Sequence, residues 1–470
     1  MSSFITIPNF KILLIIVIFN IPTANAQQGM DADAWMIKNI HSTILSQGQS
    51  YEWLKSLVSS APGRLAGSPS SLAAVELTRQ IMDTFGLDRV YLQPCKVPHW
   101  VRGDREIVKI INSPFIGDLN LDALSLGNSI GTGSAGLTSE VIEVKSLDTL
   151  EKLGVNALSG KIVFFNRAFD ETQFNTFGAY GGAVDQRGRG PALAAKYGAV
   201  AALVRSVTGD HNDIPHTGAT GFGADDHWIP ALALSTNSAD ALSRELKRSK
   251  VSVFIRNTCK MMGMKDSYSV IGEIKGSENT NEIIAVGGHL DSWDVAPGAH
   301  DDGSGCVQSM EVLYQLKKMN YKPKHTLRSV LFMNEENGLG GGRAYADSSN
   351  KNKEKHILAL ESDSGGFTPR GFGFAANSDV FEGYFKKVNQ WANLLEPYDL
   401  RLKVGHGGAD IGPLKSQGGL LADLSPDSQR YFNYHHTRVD GIEAVNPREL
   451  LLGAAAMTSL VYLVDKYGLR

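Results

Sequence analysis

The second half of the chain carries apolar runs without polar interruption, and these constrain the fold more than any other feature. Ile283-Ile284-Ala285-Val286 and Val330-Leu331-Phe332-Met333 offer no polar face to water. A strand of that kind is buried on both sides, the signature of a parallel sheet covered by helices. Residues 263–470 alternate such runs with helical patterns. Strands are predicted at 268–276, 283–290, 326–334, 356–362 and 419–424, and helices at about 304–319, 378–393 and 447–467. The expectation is an α/β fold with a mixed, mostly parallel sheet flanked by helices.

The first half reads differently. Helical spacing runs through Met30–Leu45, Tyr51–Ser59 and Ser70–Phe85, and Val90–Val97 reads as a strand. Residues 106–262 alternate short β-rich runs with glycine-rich turns and hold no cluster of His, Cys, Asp and Glu near strand ends. They are read as an inserted β-rich module without chemistry of its own, interrupting a catalytic domain made of 27–105 and 263–470. Its segment 206–228 is long, polar and glycine-rich, as lids and disordered stretches are.

At the N-terminus, Lys11 precedes the apolar run Ile12–Phe19, followed by Ala24-Asn25-Ala26. This is the pattern of an export signal cleaved after Ala26, and it places the protein in a secreted or periplasmic location. The run falls short of the roughly 20 residues needed to span a bilayer, so no membrane attachment is expected after cleavage. A net charge of -3 gives no reason to expect nucleic acid or an anionic membrane surface as partner. Three cysteines allow at most one disulfide, so the core must carry stability.

In open α/β sheets, ligands bind beyond the carboxyl ends of the strands. Here those ends lead to His289, Glu335-Glu336 and Asp363, a connecting loop carries Asp301, and Tyr431–Tyr434, read as a strand, leads to His435-His436. Singly, each is an ordinary strand-end residue; together, two histidines and three carboxylates can hold two zinc ions. Two such ions repel, so a shared anion is needed, and Asp301 suits that place because one carboxylate can bridge with both oxygens. His289 and Asp363 would complete one ion, Glu336 and His436 the other. Glu335 is left free to take a proton from an attacking water and pass it to a leaving amine. Asp291 and Asp440 are placed to orient the imidazoles of His289 and His436. Adjacent residues of an extended segment point oppositely, so His436 rather than His435 is expected to face the metals. His406 and Asp410, in Gly405-His406-Gly407-Gly408-Ala409-Asp410, are candidates for the substrate pocket. Cys306 reads as a small buried residue.

The motifs Gly288-His289-Leu290-Asp291-Ser292, His300-Asp301-Asp302-Gly303-Ser304-Gly305, Asn334-Glu335-Glu336-Asn337-Gly338, Glu361-Ser362-Asp363 and His436-Thr437-Arg438-Val439-Asp440 resemble those of the M28 family of zinc aminopeptidases and carboxypeptidases. The resemblance extends over essentially the whole mature chain, and residues 106–262 are similar to a protease-associated domain. It implies a zinc-exopeptidase fold, two Zn2+ per chain on His289, Asp301, Glu336, Asp363 and His436, and Glu335 as catalytic acid/base. It also implies a homodimer acting on dipeptides or short peptides with free termini. An aminopeptidase acting on longer peptides and a non-catalytic receptor-like protein of the same fold remain alternatives. One departure stands out: His300 occupies a position that is apolar in the family, and is read as a solvent-facing loop residue.

Overall fold

The computed structural model describes residues 22–223 and 227–469, so most of the predicted signal lies outside the described residues. The helix Pro22–Gln47 begins the described chain and runs through Ala24-Asn25-Ala26. Ile37, Ile40 and Ile44, at helical spacing, are fully buried against the C-terminal helix Pro447–Tyr467 and the main sheet. Each such burial is worth roughly 1.5–3 kcal/mol. Local signals set the helix ends. Ser68 caps Pro69–Asp83 by accepting from the Ser71 amide, and Asn446 caps the last helix by accepting from Arg448 and Glu449 amides.

The main sheet has eight strands. In spatial order they are Arg89–Val101, Lys260–Ile274, His325–Phe332, Asn279–His289, Lys355–Glu361, Leu420–Pro426, Pro369–Ala375 and Arg401–Val404. The four central strands, from His325–Phe332 to Leu420–Pro426, are mutually parallel. Antiparallel partners flank them on both sides, so the expected mixed sheet is present. His325–Phe332 is buried at every position, its polar members His325 and Arg328 being paired with Asp465 and with Glu273 and Glu354. The strands Pro369–Ala375 and Arg401–Val404 and the helix Gly340–Lys351 were not legible in the sequence. Glycines break the periodicity in the first and third, and the second is a four-residue edge strand.

Residues 107–256 build a second eight-stranded sheet, centred on Leu137–Val144, Ile162–Phe165, Ala201–Arg205 and Ala231–Leu234. It has its own apolar clusters around Phe164 and Phe165. All three cysteines are free and buried, so the one allowed disulfide does not form.

Candidate active site

His289 ends its strand with its ring directed across the sheet edge. Nδ1 lies 3.0 Å from the Asp291 carbonyl and donates to it, leaving the lone pair on Nε2. That lone pair faces Asp301 Oδ1 at 3.3 Å and Asp363 Oδ1 at 3.4 Å. His436 repeats the arrangement: Nδ1 donates to the Thr217 carbonyl at 3.2 Å. Its Nε2 faces Asp301 Oδ2 at 3.3 Å and Glu336 Oε2 at 3.2 Å. Asp301 therefore stands between two imidazoles with one oxygen toward each. Acceptors facing acceptors at these separations, in a buried cluster, match the donor set of a cation. Asp301 Oδ2 has no hydrogen-bond donor at all. Ligand atoms of His289, Asp301 and Glu336, of Asp301, His435 and His436, and of His289, Asp302 and Asp363 each lie within 4.8 Å of one another. The residues present thus fit a metal centre.

Backbone amides held by buried carboxylates fix this geometry, and two sequence expectations change as a result. The Asp291 backbone carbonyl, not its carboxylate, accepts the His289 hydrogen bond, with the carboxylate Oδ1 farther off at 3.8 Å from Nδ1. Asp291 Oδ1 instead accepts from the amides of Asn334 and Glu335 at 2.7 and 3.0 Å, which locks the Glu335-Glu336 turn. Asp440 does not touch the His436 ring. It accepts from the amides of His300 and Asp301 at 2.7 and 3.0 Å and so holds the central carboxylate in place. Asp302, not singled out in the sequence, accepts from the amides of His289 and Gly305 at 3.0 and 2.9 Å. Arg64 clamps the intervening loop through the carbonyls of Leu290, Pro297 and Gly298.

Glu335 lines a cavity of ≈ 290 Å³ together with Asp301, Glu336, Asp363 and His436. Burial pushes its carboxyl up to about 8, with His289 opposing and Asp363 adding to the rise. For Asp301, burial raises the pKa, but the surrounding imidazoles, His289 before His435 and His436, outweigh it and hold the group well below the usual carboxylate range.

Two histidines depart from expectation. His300 is fully buried rather than solvent-facing. Its ring stacks on Phe367 at 4.1 Å, Nδ1 accepts from the Gly366 amide and Nε2 donates to the Ala444 carbonyl. It fills an apolar position as a neutral, saturated ring, pushed down to about 4 by burial. His435 also faces the site. Tyr431–Tyr434 is a helical turn, not a strand, and His436 adopts φ 63, so the alternation rule does not apply. The two rings stack at 3.5 Å, with His435 Nε2 3.7 Å from Asp301 Oδ2.

His406 lines a second cavity of ≈ 1080 Å³ that shares Asp363 and Phe177 with the first. Asp410 does not; it is fully buried with neither carboxylate oxygen hydrogen-bonded. The glycine loop does permit close approach, though of a buried acid rather than a substrate: a Cβ on Gly408 would lie 2.0 Å from the Glu361 carboxyl. Glu361 accepts there from the Ala409 and Ile411 amides at 3.1 and 3.0 Å.

Comparison with known proteins gives the same assignment. The model of peptidase family M28 matches residues 269–461. Carboxypeptidase Q of Bos taurus is 36% identical over 422 residues, spanning 89% of this chain and 86% of the relative. The chain belongs to peptidase family M28. It is a metallopeptidase. The crystal structure of a peptidase M28 precursor from Shewanella amazonensis superimposes with a TM-score of 0.87 at 31% identity, covering 93% of this chain and 97% of that one. A zinc aminopeptidase from Bacillus subtilis shares the fold at a TM-score of 0.62 and 20% identity, covering 88% and 94%.

One wall of this M28 site comes from residues 107–256, outside the sheet whose strand ends carry the predicted ligands. Arg187, Tyr180 and Ala219 line the small cavity opposite Glu335. Thr217, inside the long glycine-rich segment, supplies the carbonyl that fixes the His436 tautomer. No local motif marks these residues; backbone carbonyls and single side chains leave no spacing pattern.

Proposed function

We propose that this M28 peptidase is an exported dizinc exopeptidase that hydrolyses dipeptides or short peptides with free termini. The observation that carries the reading is Asp301, whose two oxygens face two separate imidazole lone pairs. His289 and Asp363 would hold one zinc ion, Glu336 and His436 the other, and Asp301 both. When bound, the pair would supply Lewis-acid stabilisation of negative charge on the scissile carbonyl and make a nearby water acidic. The protein supplies position and proton movement. Asp440 and Asp291 fix the backbone under Asp301 and Glu335, and Glu336 is oriented by the Trp293 amide at 3.1 Å. Glu335 takes the proton from the attacking water on a carboxylate oxygen and gives it to the leaving amine. A pKa raised by burial suits that exchange.

The family resemblance of the motifs favours action at short peptides, and the A-x-A pattern supports export to a secreted or periplasmic location. The homodimer rests on the family resemblance. The two separate apolar cores support residues 106–262 as an inserted protease-associated-like domain within a catalytic domain of 27–105 and 263–470. A second reading, aminopeptidase action on longer peptides, is favoured by the room in the ≈ 1080 Å³ cavity that continues from Asp363.

Three substrates separate the readings: an unblocked dipeptide, its N-acetyl form and its C-terminal amide. Hydrolysis of the free dipeptide with loss on amidation is expected. Tolerance of the amide with rejection of the N-acetyl form would establish the aminopeptidase instead.

A further inference from the structure

Trp293 is fully buried and touches both candidate ligands of one metal position. Its amide donates to Glu336 Oε1 at 3.1 Å, and its ring makes a T-shaped contact with the His436 imidazole, 5.7 Å between centroids. The far side of the indole belongs to the inserted region. A Cβ on Gly127 would lie 1.9 Å from the ring, so only glycine there lets the two meet. The Gly127 amide donates to the Gly218 carbonyl and the Gly127 carbonyl accepts from the Thr220 amide, both at 3.0 Å. These bonds tie the seat of the indole to the segment whose Thr217 carbonyl holds His436 Nδ1. Asp294, next in the chain, takes a two-point contact from Arg102, both bonds at 2.7 Å, and Arg102 Nη1 donates to the Ser125 carbonyl at 2.6 Å. The indole Nε1 has no hydrogen-bond partner among the described residues, so packing orients the ring. His289 and Asp363, by contrast, follow main-sheet strands directly: His289 ends one, and Asp363 lies two residues beyond Lys355–Glu361.

We propose that Trp293 is a positioning residue through which the inserted region sets one of the two metal positions, that of Glu336 and His436. The other is left to the main sheet. A ring pushed back from Gly127 draws the Trp293 amide away from Glu336 and the indole away from His436 together. Groups that orient metal ligands govern affinity in this way without touching the ion. The coupling is reciprocal: an ion at that position also holds the inserted region in its seat. The inference rests on the two-ion reading of the same site and divides the two positions between the two cores.

The test is zinc binding, not turnover. His289→Ala leaves the Glu336 and His436 position, and His436→Ala leaves the His289 and Asp363 position. The zinc affinity of each is measured by competition with a chelator, with and without Gly127→Ala. In the His289→Ala protein, adding Gly127→Ala should weaken zinc by about 10–100-fold. In the His436→Ala protein the same change should move the affinity by less than about twofold, as expected of independent sites. Trp293→Phe, which keeps the amide and shrinks the ring, should show the same split with a smaller loss. Circular dichroism reports whether each protein is folded, and Trp293→Phe carries the test if Gly127→Ala is not. Equal weakening of both positions, or weakening of neither, would overturn the proposal. A wild-type protein that binds a single ion would remove the two-ion reading itself, and the proposal with it.

Discussion

The molecule contains two eight-stranded sheets of similar construction and opposite use. Both bury short apolar strands and both contain a parallel centre. In the main sheet, the strand ends carry His289, Glu336 and Asp363. In the second sheet, strands such as Ile162–Phe165 and Ala231–Leu234 are equally buried but lead to no such cluster. Its contribution comes from connections instead: Arg187 on a single helical turn, Thr217 and Gly218 in a loop. The candidate metal ligands sit at strand ends or in the loops beside them, and the second core lends side chains and a backbone carbonyl to the cavity wall.

The largest effect expected is on the main-sheet side. Glu335→Gln should lower kcat by about 10²–10⁴-fold while zinc content stays at the wild-type level. Full activity in that variant would remove Glu335 from the proton transfer. Truncating the second core tests its independence. Phe164→Ala, at a fully buried position, should cost about 3–5 kcal/mol in unfolding experiments without loss of zinc. Loss of zinc alongside would show that the two sheets act as one unit. Asp440→Asn, which leaves every ligand in place but weakens the hold on the Asp301 amide, should reduce zinc affinity by about 10–100-fold. The matching change Glu245→Gln, a buried acid on the helix Thr236–Leu246 beside the second sheet, should leave zinc affinity unchanged. The smallest effect concerns pH. Glu335 is pushed up to about 8, and Glu361 and Asp440 to about 7, by burial. The folded metal-free protein therefore holds protons that the unfolded chain releases, and its stability falls as pH rises through these values. His216 and His300, pushed down to about 4, and His435, to about 3, act only below their unfolded value of 6.5. Above pH 6.5 the thermal midpoint of the chelated protein should thus decline toward pH 8, and less so with zinc bound. A rising midpoint would contradict the buried-acid assignment.

How far the sequence could be read follows from the same contrast. Uninterrupted apolar runs made the central strands legible within a few residues, and the acids and histidines at their ends came with them. Reading by periodicity failed where the backbone leaves regular form. Tyr431–Tyr434 is a helical turn, and the positive φ at His436 brings His435 onto the same side. His300 was misplaced because its partners, Phe367 and the Ala444 carbonyl, are distant in the chain. Asp291 and Asp440 lie beside the site and accept from backbone amides, which no residue spacing reveals. Asp410 shared a glycine loop with His406, yet only His406 reaches a cavity. Arg187 leaves no mark in the sequence because its contacts, with Tyr180, the Thr217 carbonyl and the His436 ring, follow no local spacing.

The central claim is that Asp301 joins two metal positions. Zinc per chain, measured by elemental analysis after exhaustive dialysis, tests it most directly. The account predicts about two ions in wild type, about one after His289→Ala, and neither ion retained after Asp301→Ala. A single ion in wild type, or one ion still held tightly by Asp301→Ala, would contradict it.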